Sequence, residues 1–432
     1  MKMGVVADDV TGSNDIGIMF AKSGYLTHVY SFKEDSDSPG ASGNDHGEAD
    51  IVILDTNSRL DPPEVAYRKV FAATRALQQA GCRQFHNKTC SVFRGNIGAE
   101  FDAMLDALGL EFAIVVLGFP KNGRTTVDGI HFVHGKRLED SEFRQDPIHP
   151  MRRSDLVGIL ASQTKRKVGL LSHEVVERGS EALRDEIQRM RTQCQYLILD
   201  VTSQGALAAI ARAVHDEPVL CGSSAIAEEL PAVWGSPREQ AKSPELPQVD
   251  GVGILITAGS LMPQTAAQIE HLKQKGVPSF VLDTSRLFDP AEREAEMLRL
   301  SESISANLRI GTDTVVHAPN DSQAGEHTNR AGMAHSVSKR DISRWVSEAL
   351  AEVTARVLEA TGQNRLVVAG GETSAAVCAR LGIDGMRVWK EIQPGLPSCV
   401  SLEDSPRMLV LKSGSFGKPD FFERALEHLR KT

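Results

Sequence analysis

Near the amino terminus, Ala7-Asp8-Asp9-Val10-Thr11-Gly12-Ser13-Asn14-Asp15 packs three acids, two hydroxyls and a glycine into nine residues. Thr11 or Ser13 would cap a following helix, and acids are favoured in a first helical turn. Capping accounts for one or two of these residues. It leaves paired acids directly after an apolar run, where an aspartate can hold a substrate hydroxyl and act as base.

Later segments of the first half add cations. Asp55-Thr56-Asn57-Ser58-Arg59 carries one Arg suited to a bidentate grip on a carboxylate. In His86-Asn87-Lys88-Thr89-Cys90-Ser91-Val92-Phe93-Arg94-Gly95-Asn96-Ile97-Gly98, Lys88, Ser91 and Arg94 precede a helical pattern from Ala99 to Leu108. Two cations, a hydroxyl and a helix start suit an anion. Phe119-Pro120-Lys121-Asn122-Gly123-Arg124-Thr125-Thr126 has the same character. Together these loops suggest a pocket for a small polyhydroxylated anion. His131 and His134 stand three apart, but two β-prone residues separate them and no further ligand set follows, so a structural role is favoured over a metal.

The second half is different. Thr257-Ala258-Gly259-Ser260, Ala369-Gly370-Gly371-Glu372-Thr373-Ser374 and Lys412-Ser413-Gly414-Ser415-Phe416-Gly417 each run from an apolar stretch into small residues and then a helical pattern. Glycines admit close backbone approach, and free N–H groups at helix starts bind phosphate. Three such loops favour nucleotide phosphates over tight turns. There is no GxxxxGK[ST], and Gly251-Val252-Gly253 precedes its apolar run, so neither a P-loop nor a Rossmann dinucleotide site is supported.

These loops need strands behind them. Met3 to Ala7, Ile51 to Leu54, Ala113 to Leu117, Val168 to Leu171 and Tyr196 to Leu199 read as buried strands alternating with amphipathic helices. Gly253 to Thr257, Ser279 to Leu282, Thr314 to His317, Leu366 to Ala369 and Met408 to Leu411 repeat the pattern. The fold class is α/β, with two domains, each built on a mostly parallel sheet flanked by helices. Ligands in such sheets bind beyond the strands' carboxyl ends, where all the loops above fall. The segment 236–249, with Pro237, Pro244 and Pro247, reads as a linker between a domain at 1–235 that carries the cationic loops and a domain at 250–432 that carries the glycine-containing loops. Lys33 to Asp50 and Ala318 to Arg340 read as polar surface loops.

Composition narrows the partners. With 57 acids against 48 bases and a net charge of −9, the chain lacks the cation excess of a nucleic-acid or anionic-membrane binder. Aromatics at 5% are too sparse for a base-stacking surface. Six scattered cysteines without a CxxC pair disfavour a disulfide framework or zinc site. No apolar run approaches the roughly 18 residues that cross a bilayer, and the first residues lack a signal-peptide core, so a cytoplasmic protein is expected. The sequence leaves the oligomeric state open, a homodimer included.

A hydroxyl-binding, cationic half and a phosphate-cradling half imply transfer between their ligands. Phosphoryl transfer fits, because its catalysis is mainly positioning and charge neutralisation. A non-catalytic nucleotide or metabolite sensor is the competing class; a dehydrogenase lacks its fingerprint.

The same residues resemble a known family, the four-carbon acid sugar kinases. Ala7 to Asp15 is similar to that family's ADDxTGxxD opening, and Phe93-Arg94-Gly95-Asn96-Ile97-Gly98 to its FRGNxG segment. Gly123-Arg124-Thr125-Thr126, the GGET at Gly370 to Thr373 and the KSGxFG ending at Gly417 match in the same order. The resemblance implies ATP-dependent phosphorylation of the terminal hydroxyl of threonate, erythronate or a 2- or 3-oxo-tetronate, with an acid-sugar substrate domain at 1–235 and an ATP-binding domain at 250–432. It implies that Asp9, Arg59, Lys88, Thr89, Cys90 and Ser91 contact the acid sugar. Ser260, Gly370, Gly371, Glu372, Thr373, Gly414, Ser415, Phe416 and Gly417 are the implied ATP contacts. In that scheme Arg59 and Lys88 hold the substrate carboxylate, Asp9 orients or deprotonates the attacking hydroxyl, and loop N–H groups with Mg²⁺ neutralise the triphosphate. Glu372 is either a helix-capping acid or a magnesium contact; the metal ligands are otherwise unassigned. The opening motif and Thr56-Asn57-Ser58-Arg59 look most like the D-threonate kinase branch. Where that branch usually reads Lys-Ile-Asp-Ser, this chain has Lys88-Thr89-Cys90-Ser91, which resembles the oxo-tetronate kinases.

Overall fold

The computed structural model describes residues 3–34, 49–146, 148–235, 237, 243–247, 251–319, 332 and 337–432. Most of the two polar stretches assigned to surface loops, and most of 236–249, lie outside the described residues. The chain divides into two compact units, Met1–Lys242 and Ser243–Thr432. Each is α/β with a mostly parallel sheet flanked by helices.

The first unit contains β1 (Met3–Ala7), β2 (Thr27–Ser31), β3 (Ile51–Asp55), β4 (Gln84–Lys88) and β5 (Ala113–Val116). After them come the short strands β6 (Arg124–Val127), β7 (Ile130–Val133) and β8 (Lys136–Arg137), then β9 (Val168–Leu171), β10 (Tyr196–Leu199) and β11 (Val219–Gly222). The main sheet runs β2-β3-β1-β4-β11-β5-β10-β9, parallel throughout. Runs such as Ala-Ile-Val-Val in β5 and Tyr-Leu-Ile-Leu in β10 are buried at every position, as a sheet covered on both faces requires. Strands β6, β7 and β8 form a separate antiparallel sheet.

Register brings the chemistry together. Ala7, the last residue of β1, pairs with Asp55 of β3 on one side and Lys88 of β4 on the other. Lys88 in turn pairs with Gly222 of β11. The segments that follow these four strands therefore emerge side by side at one edge.

The second unit contains β12 (Leu255–Ala258), β13 (Ser279–Val281), β14 (Thr314–His317), β15 (Arg365–Ala369), β16 (Gly385–Gln393), β17 (Leu396–Ser401) and β18 (Met408–Lys412). Its order is β13-β14-β12-β15-β18-β17-β16, parallel up to β18 and antiparallel beyond it. Ala369 of β15 pairs with Ala258 of β12 and with Lys412 of β18, so the three glycine-containing loops also leave from one edge. Among the described residues no helix is long and apolar enough to cross a membrane.

Candidate functional site

In the first unit the turn from β1 into helix Val10–Ala21 is capped by Asp9 itself, where the sequence pointed to Thr11 or Ser13. Asp9 takes extended backbone, and its Oδ1 accepts from the Gly12 N–H at 2.6 Å. The Thr11 hydroxyl donates to Asp9 Oδ2 at 3.2 Å. Ser13 Oγ donates to the Asp9 carbonyl at 3.1 Å. An aspartate two residues past the strand reaches the free N–H groups best, and its charge suits the helix N-terminus.

Arg59 closes over both acids. Its Nε and Nη2 donate to the two oxygens of Asp8 at 2.8 and 2.7 Å, a bidentate pair, and its Nη1 donates to Asp9 Oδ2. The backbone prepares this contact: the N–H groups of Ser58 and Arg59 donate to the Asp8 carbonyl at 3.1 and 3.3 Å. Asn96 pins the same loop from outside, donating through Nδ2 to the carbonyls of Ser58 and Asp61 at 3.1 and 2.8 Å. Burial pushes the Asp9 carboxyl up, but Arg59, Lys88, the Gly12 N–H and Arg94 outweigh it and hold Asp9 below the ordinary carboxylate range.

Lys88 is buried at the end of β4. Its Nζ donates to the Thr89 carbonyl at 3.0 Å and stands 3.5 Å from Asp15 Oδ2. Asp15 also accepts from Ser224 Oγ at 2.7 Å, while its Oδ1 has no hydrogen-bond partner among the described residues. Burial, only partly countered by Lys88 and Ser224, raises Asp15 to about 6. Asp55, at the end of β3, is pushed to about 7 by burial and by the neighbouring Asp9 and Asp8 charges.

Arg94 forms the third corner. It donates to Cys90 Sγ at 3.3 Å through Nε and to Asp146 at 2.5 Å through Nη1, and lies over the Phe143 ring. Burial raises the Cys90 thiol, but Arg94 and Arg59 outweigh it and lower its pKa. Thr89 and Ser91 are buried beside it in the chain. Lys121, by contrast, pairs with Glu228 at 2.7 Å, and Arg124 is buried with a bond to the Asn122 carbonyl. The cations gathered at these strand ends are thus each engaged by protein groups. The corner is a lattice of paired charges, in which a ligand carboxylate would be met by donors the internal acids leave unused. Arg59 uses three of its five N–H donors on Asp8 and Asp9, leaving two for such a ligand.

In the second unit the three loops meet around Ser260. A Cβ at Gly414 would lie 3.0 Å from the Ser260 Cβ, and one at Gly370 would lie 3.2 Å from the Ser260 nitrogen. Gly370 has φ of 116°, open to glycine alone, and precedes helix Gly371–Leu381. Its N–H donates to the Lys412 carbonyl at 2.9 Å. Glu372, in the first turn, accepts from Ser343 Oγ at 2.5 Å, and Thr373 and Ser347 hydroxyls lie 3.4 Å apart. Ser415 and Phe416 are buried, and Gln268 Nε2 donates to the Phe416 carbonyl at 3.1 Å. The arrangement fits phosphate oxygens on backbone N–H groups.

Among the described residues one group has three metal-type donors close together, Asp128, His173 and Asp200. Asp200, however, accepts from the N–H groups of Asp128, Gly129 and His173 at 2.5, 3.0 and 3.0 Å. Those bonds staple the β6–β7 turn to the end of β10, a structural role that occupies most of the carboxylate's lone pairs. His131 is buried in β7 with Nδ1 3.1 Å from the Thr126 hydroxyl.

Both edges fit known protein families. A sugar-binding N-terminal domain matches residues 3–230, and a nucleotide-binding C-terminal domain matches residues 255–422. A 3-oxo-tetronate kinase of Cupriavidus necator is 34% identical over 99% of this chain and 97% of its own length. A 3-oxo-tetronate kinase of Pseudomonas fluorescens is also 34% identical, with the same coverage.

The chain belongs to the four-carbon acid sugar kinase family.

It is a phosphotransferase acting on an alcohol group. Solved structures share the fold of this kinase. A Salmonella typhimurium LT2 protein superposes with a TM-score of 0.81 at 29% identity, over 98% of both chains. Haemophilus influenzae protein HI1011 gives 0.71 at 29% identity, over 99% of this chain and all of its own.

Sequence reasoning missed several groups around the acid sugar kinase's candidate site. Asp15 and Asn96 stood inside quoted motifs without an assigned role, and Arg94 was read only as one of two cations suited to an anion, without its contacts to Cys90 and Asp146. Asp8 was grouped with Asp9, without its bidentate hold on Arg59. Asp146 and Ser224 carried no local signal, because they reach Arg94 and Asp15 from 52 and 209 residues away.

Proposed function

We propose that this kinase transfers the γ-phosphoryl group of ATP to the terminal hydroxyl of a 3-oxo-tetronate. The observation that carries the reading is full-length similarity to relatives named for that activity, at 34% identity. Cys90 gives it a physical basis. It stands between Arg94 and Arg59, where the D-threonate branch usually has an acid. A secondary hydroxyl can donate to an acid; a keto oxygen only accepts. A thiol leaves the two guanidinium groups as donors toward such an oxygen. D-Threonate is the second reading, favoured by the Ala7 to Asp15 opening and Thr56 to Arg59.

In this reading residues 1–235 bind the acid sugar, 236–249 link, and 250–432 bind ATP. Arg59 and Lys88 face the substrate carboxylate, with Thr89, Cys90 and Ser91 lining the same corner, and Asp9 orients the attacking hydroxyl while fixing Arg59. Ser260, Gly370, Gly371, Thr373 and the Gly414 to Gly417 loop hold the triphosphate. Mg²⁺, a hard cation with oxygen ligands, would be held chiefly by phosphate oxygens, with Glu372 the carboxylate proposed to join them. Bound there it would neutralise charge on the transferring group.

The test is an ADP-release screen with D- and L-threonate, D- and L-erythronate and their oxo forms. ADP formation with a 3-oxo-tetronate, and far less with D-threonate, is the expected result. The reverse preference would replace the first reading with the second. Ligand-stabilised folding without ADP from any acid sugar would overturn both.

A further inference from the structure

Lys412 ends β18 directly beneath the third glycine-containing loop and is fully buried. Its Nζ lies 2.9 Å from Thr265 Oγ1, 2.9 Å from the Ser413 carbonyl and 3.0 Å from the Gly414 carbonyl. Thr265 Oγ1 directs its own hydrogen to the Gly414 carbonyl at 2.9 Å, so it can only accept from Nζ. Three acceptors around one nitrogen require three N–H groups, and a neutral amine has two. The ammonium form of Lys412 satisfies all three at once.

Among the described residues no carboxylate lies within salt-bridge distance of it, and the one aromatic contact is the Phe422 ring at 5.9 Å. The charged groups on the elements packed around it are engaged elsewhere. His271 and Lys275 pair with Glu423 at 2.7 and 3.1 Å, Glu372 accepts from Ser343, and Arg365 donates to the Leu429 carbonyl. Burial without a counter-ion pushes the Lys412 pKa down to about 7. Such a charge is costly unless something negative completes it.

The backbone says where that negative charge would stand. In a trans peptide the N–H points opposite to the preceding C=O. With the Ser413 and Gly414 carbonyls drawn onto Nζ, the N–H groups of Gly414 and Ser415 face away from it. Neither N–H has a hydrogen-bond partner among the described residues. Through its own carbonyl Lys412 also accepts from Gly370, and through Thr265 it reaches the helix Pro263–Gln274 that follows Ser260. One residue thus ties all three loops, through its side chain and its carbonyl.

We propose that Lys412 is the resident cation of the nucleotide site, a positioning residue that aims the Gly414 and Ser415 N–H groups at nucleotide phosphates and supplies their counter-charge without touching them. This rests on the nucleotide reading of the second unit. A bound polyphosphate stabilises the ammonium, so binding raises the Lys412 pKa, draws in a fraction of a proton near neutral pH, and weakens as pH rises through about 7.

The experiment is calorimetric titration of MgADP into the full chain, in two buffers of different ionisation enthalpy, for wild type, Lys412→Met and Lys412→Arg. Wild type should take up a fraction of a proton per ADP and lose affinity severalfold between about pH 6 and pH 8.5. Lys412→Met should bind ADP at least about tenfold more weakly with that proton uptake removed, and Lys412→Arg should recover part of the affinity. Acid-sugar binding by Lys412→Met, measured by thermal shift, should match wild type and reports that the first unit is folded. Wild-type ADP binding with no Lys412-dependent proton uptake, or undiminished ADP binding by folded Lys412→Met, overturns the proposal. Wild type that binds acid sugar but no ADP overturns the nucleotide reading and this inference with it. Should Lys412→Met fail to fold, the wild-type proton count alone decides.

Discussion

Replacing Asp9 with asparagine isolates one carboxylate from its neighbours. The amide oxygen of the new side chain keeps the acceptor that caps Gly12 at 2.6 Å, so the helix start survives. What changes is Oδ2, which becomes an NH₂ facing the Arg59 Nη1 donor and the Thr11 hydroxyl. Arg59 keeps its bidentate hold on Asp8, at 2.8 and 2.7 Å. The loss is then one charge-assisted hydrogen bond, about 1.5–3 kcal/mol, partly offset because one buried charge disappears. The fold should persist. A group that orients or deprotonates the acceptor hydroxyl contributes about 10²–10⁴ in rate, and kcat should fall by that factor. The assay is coupled ADP release with saturating acid sugar, alongside MgADP affinity by calorimetry and a urea midpoint. Unchanged ADP affinity, a small midpoint shift and a collapsed kcat are expected. A kcat within about tenfold of wild type would remove Asp9 from the reaction. The Asp8→Asn variant separates the roles: it disturbs Arg59 but spares Asp9, so it should raise KM for the acid sugar more than it lowers kcat.

Asp55→Asn should stabilise the protein at alkaline pH. The Asp55 carboxyl titrates near 7 in the fold against an ordinary 3.8, so the unfolded chain releases its proton first and the folded state loses stability as pH rises through this window. That gap corresponds to at most about 4 kcal/mol, so the Asn variant should gain stability by up to this amount at about pH 8 and little near pH 4, as read by urea unfolding at both. Equal gains at the two pH values would refute the assignment. Gly414→Ala places a Cβ against Ser260 and Met262, and should raise KM for ATP by at least about tenfold while leaving acid-sugar binding unchanged in thermal shift. Cys90→Asp puts an acceptor beside Arg94 and Arg59, and should shift the ratio of kcat/KM from 3-oxo-tetronate toward D-threonate; an unchanged ratio would show that Cys90 does not read the substrate.

The α/β class was legible because buried parallel strands are near-continuous apolar runs, and Met3–Ala7, Tyr196–Leu199 and Thr314–His317 have the bounds read from sequence, as does Val168–Leu171, although that strand lies at the sheet edge and only Leu171 is buried. Strands outside that pattern were not legible. Gln84–Lys88 reads Gln-Phe-His-Asn-Lys, yet it is central, between β1 and β11, with His86, Asn87 and Lys88 all buried. Thr27–Ser31 mixes polar and apolar residues, and Leu396–Ser401 includes Pro397. Nothing in their composition announces a strand, because their burial is imposed by neighbours in the sheet.

The sites divide the same way. The chemistry of each loop, from the acids of Ala7 to Asp15 to the glycines at 370, 371, 414 and 417, is a local property of residue type, and the sequence alone determined it. The pairing of those residues is not local. That Arg59 clamps Asp8 and Asp9, that Asp146 answers Arg94, and that Lys412 lies buried without a carboxylate partner among the described residues depend on which strands are neighbours and in what register. Sequence therefore predicted a cationic, hydroxyl-binding pocket with an aspartate, whereas the tertiary structure paired its charges with one another. Burial leaves few charges without partners, and only the packed fold decides which partner each one meets.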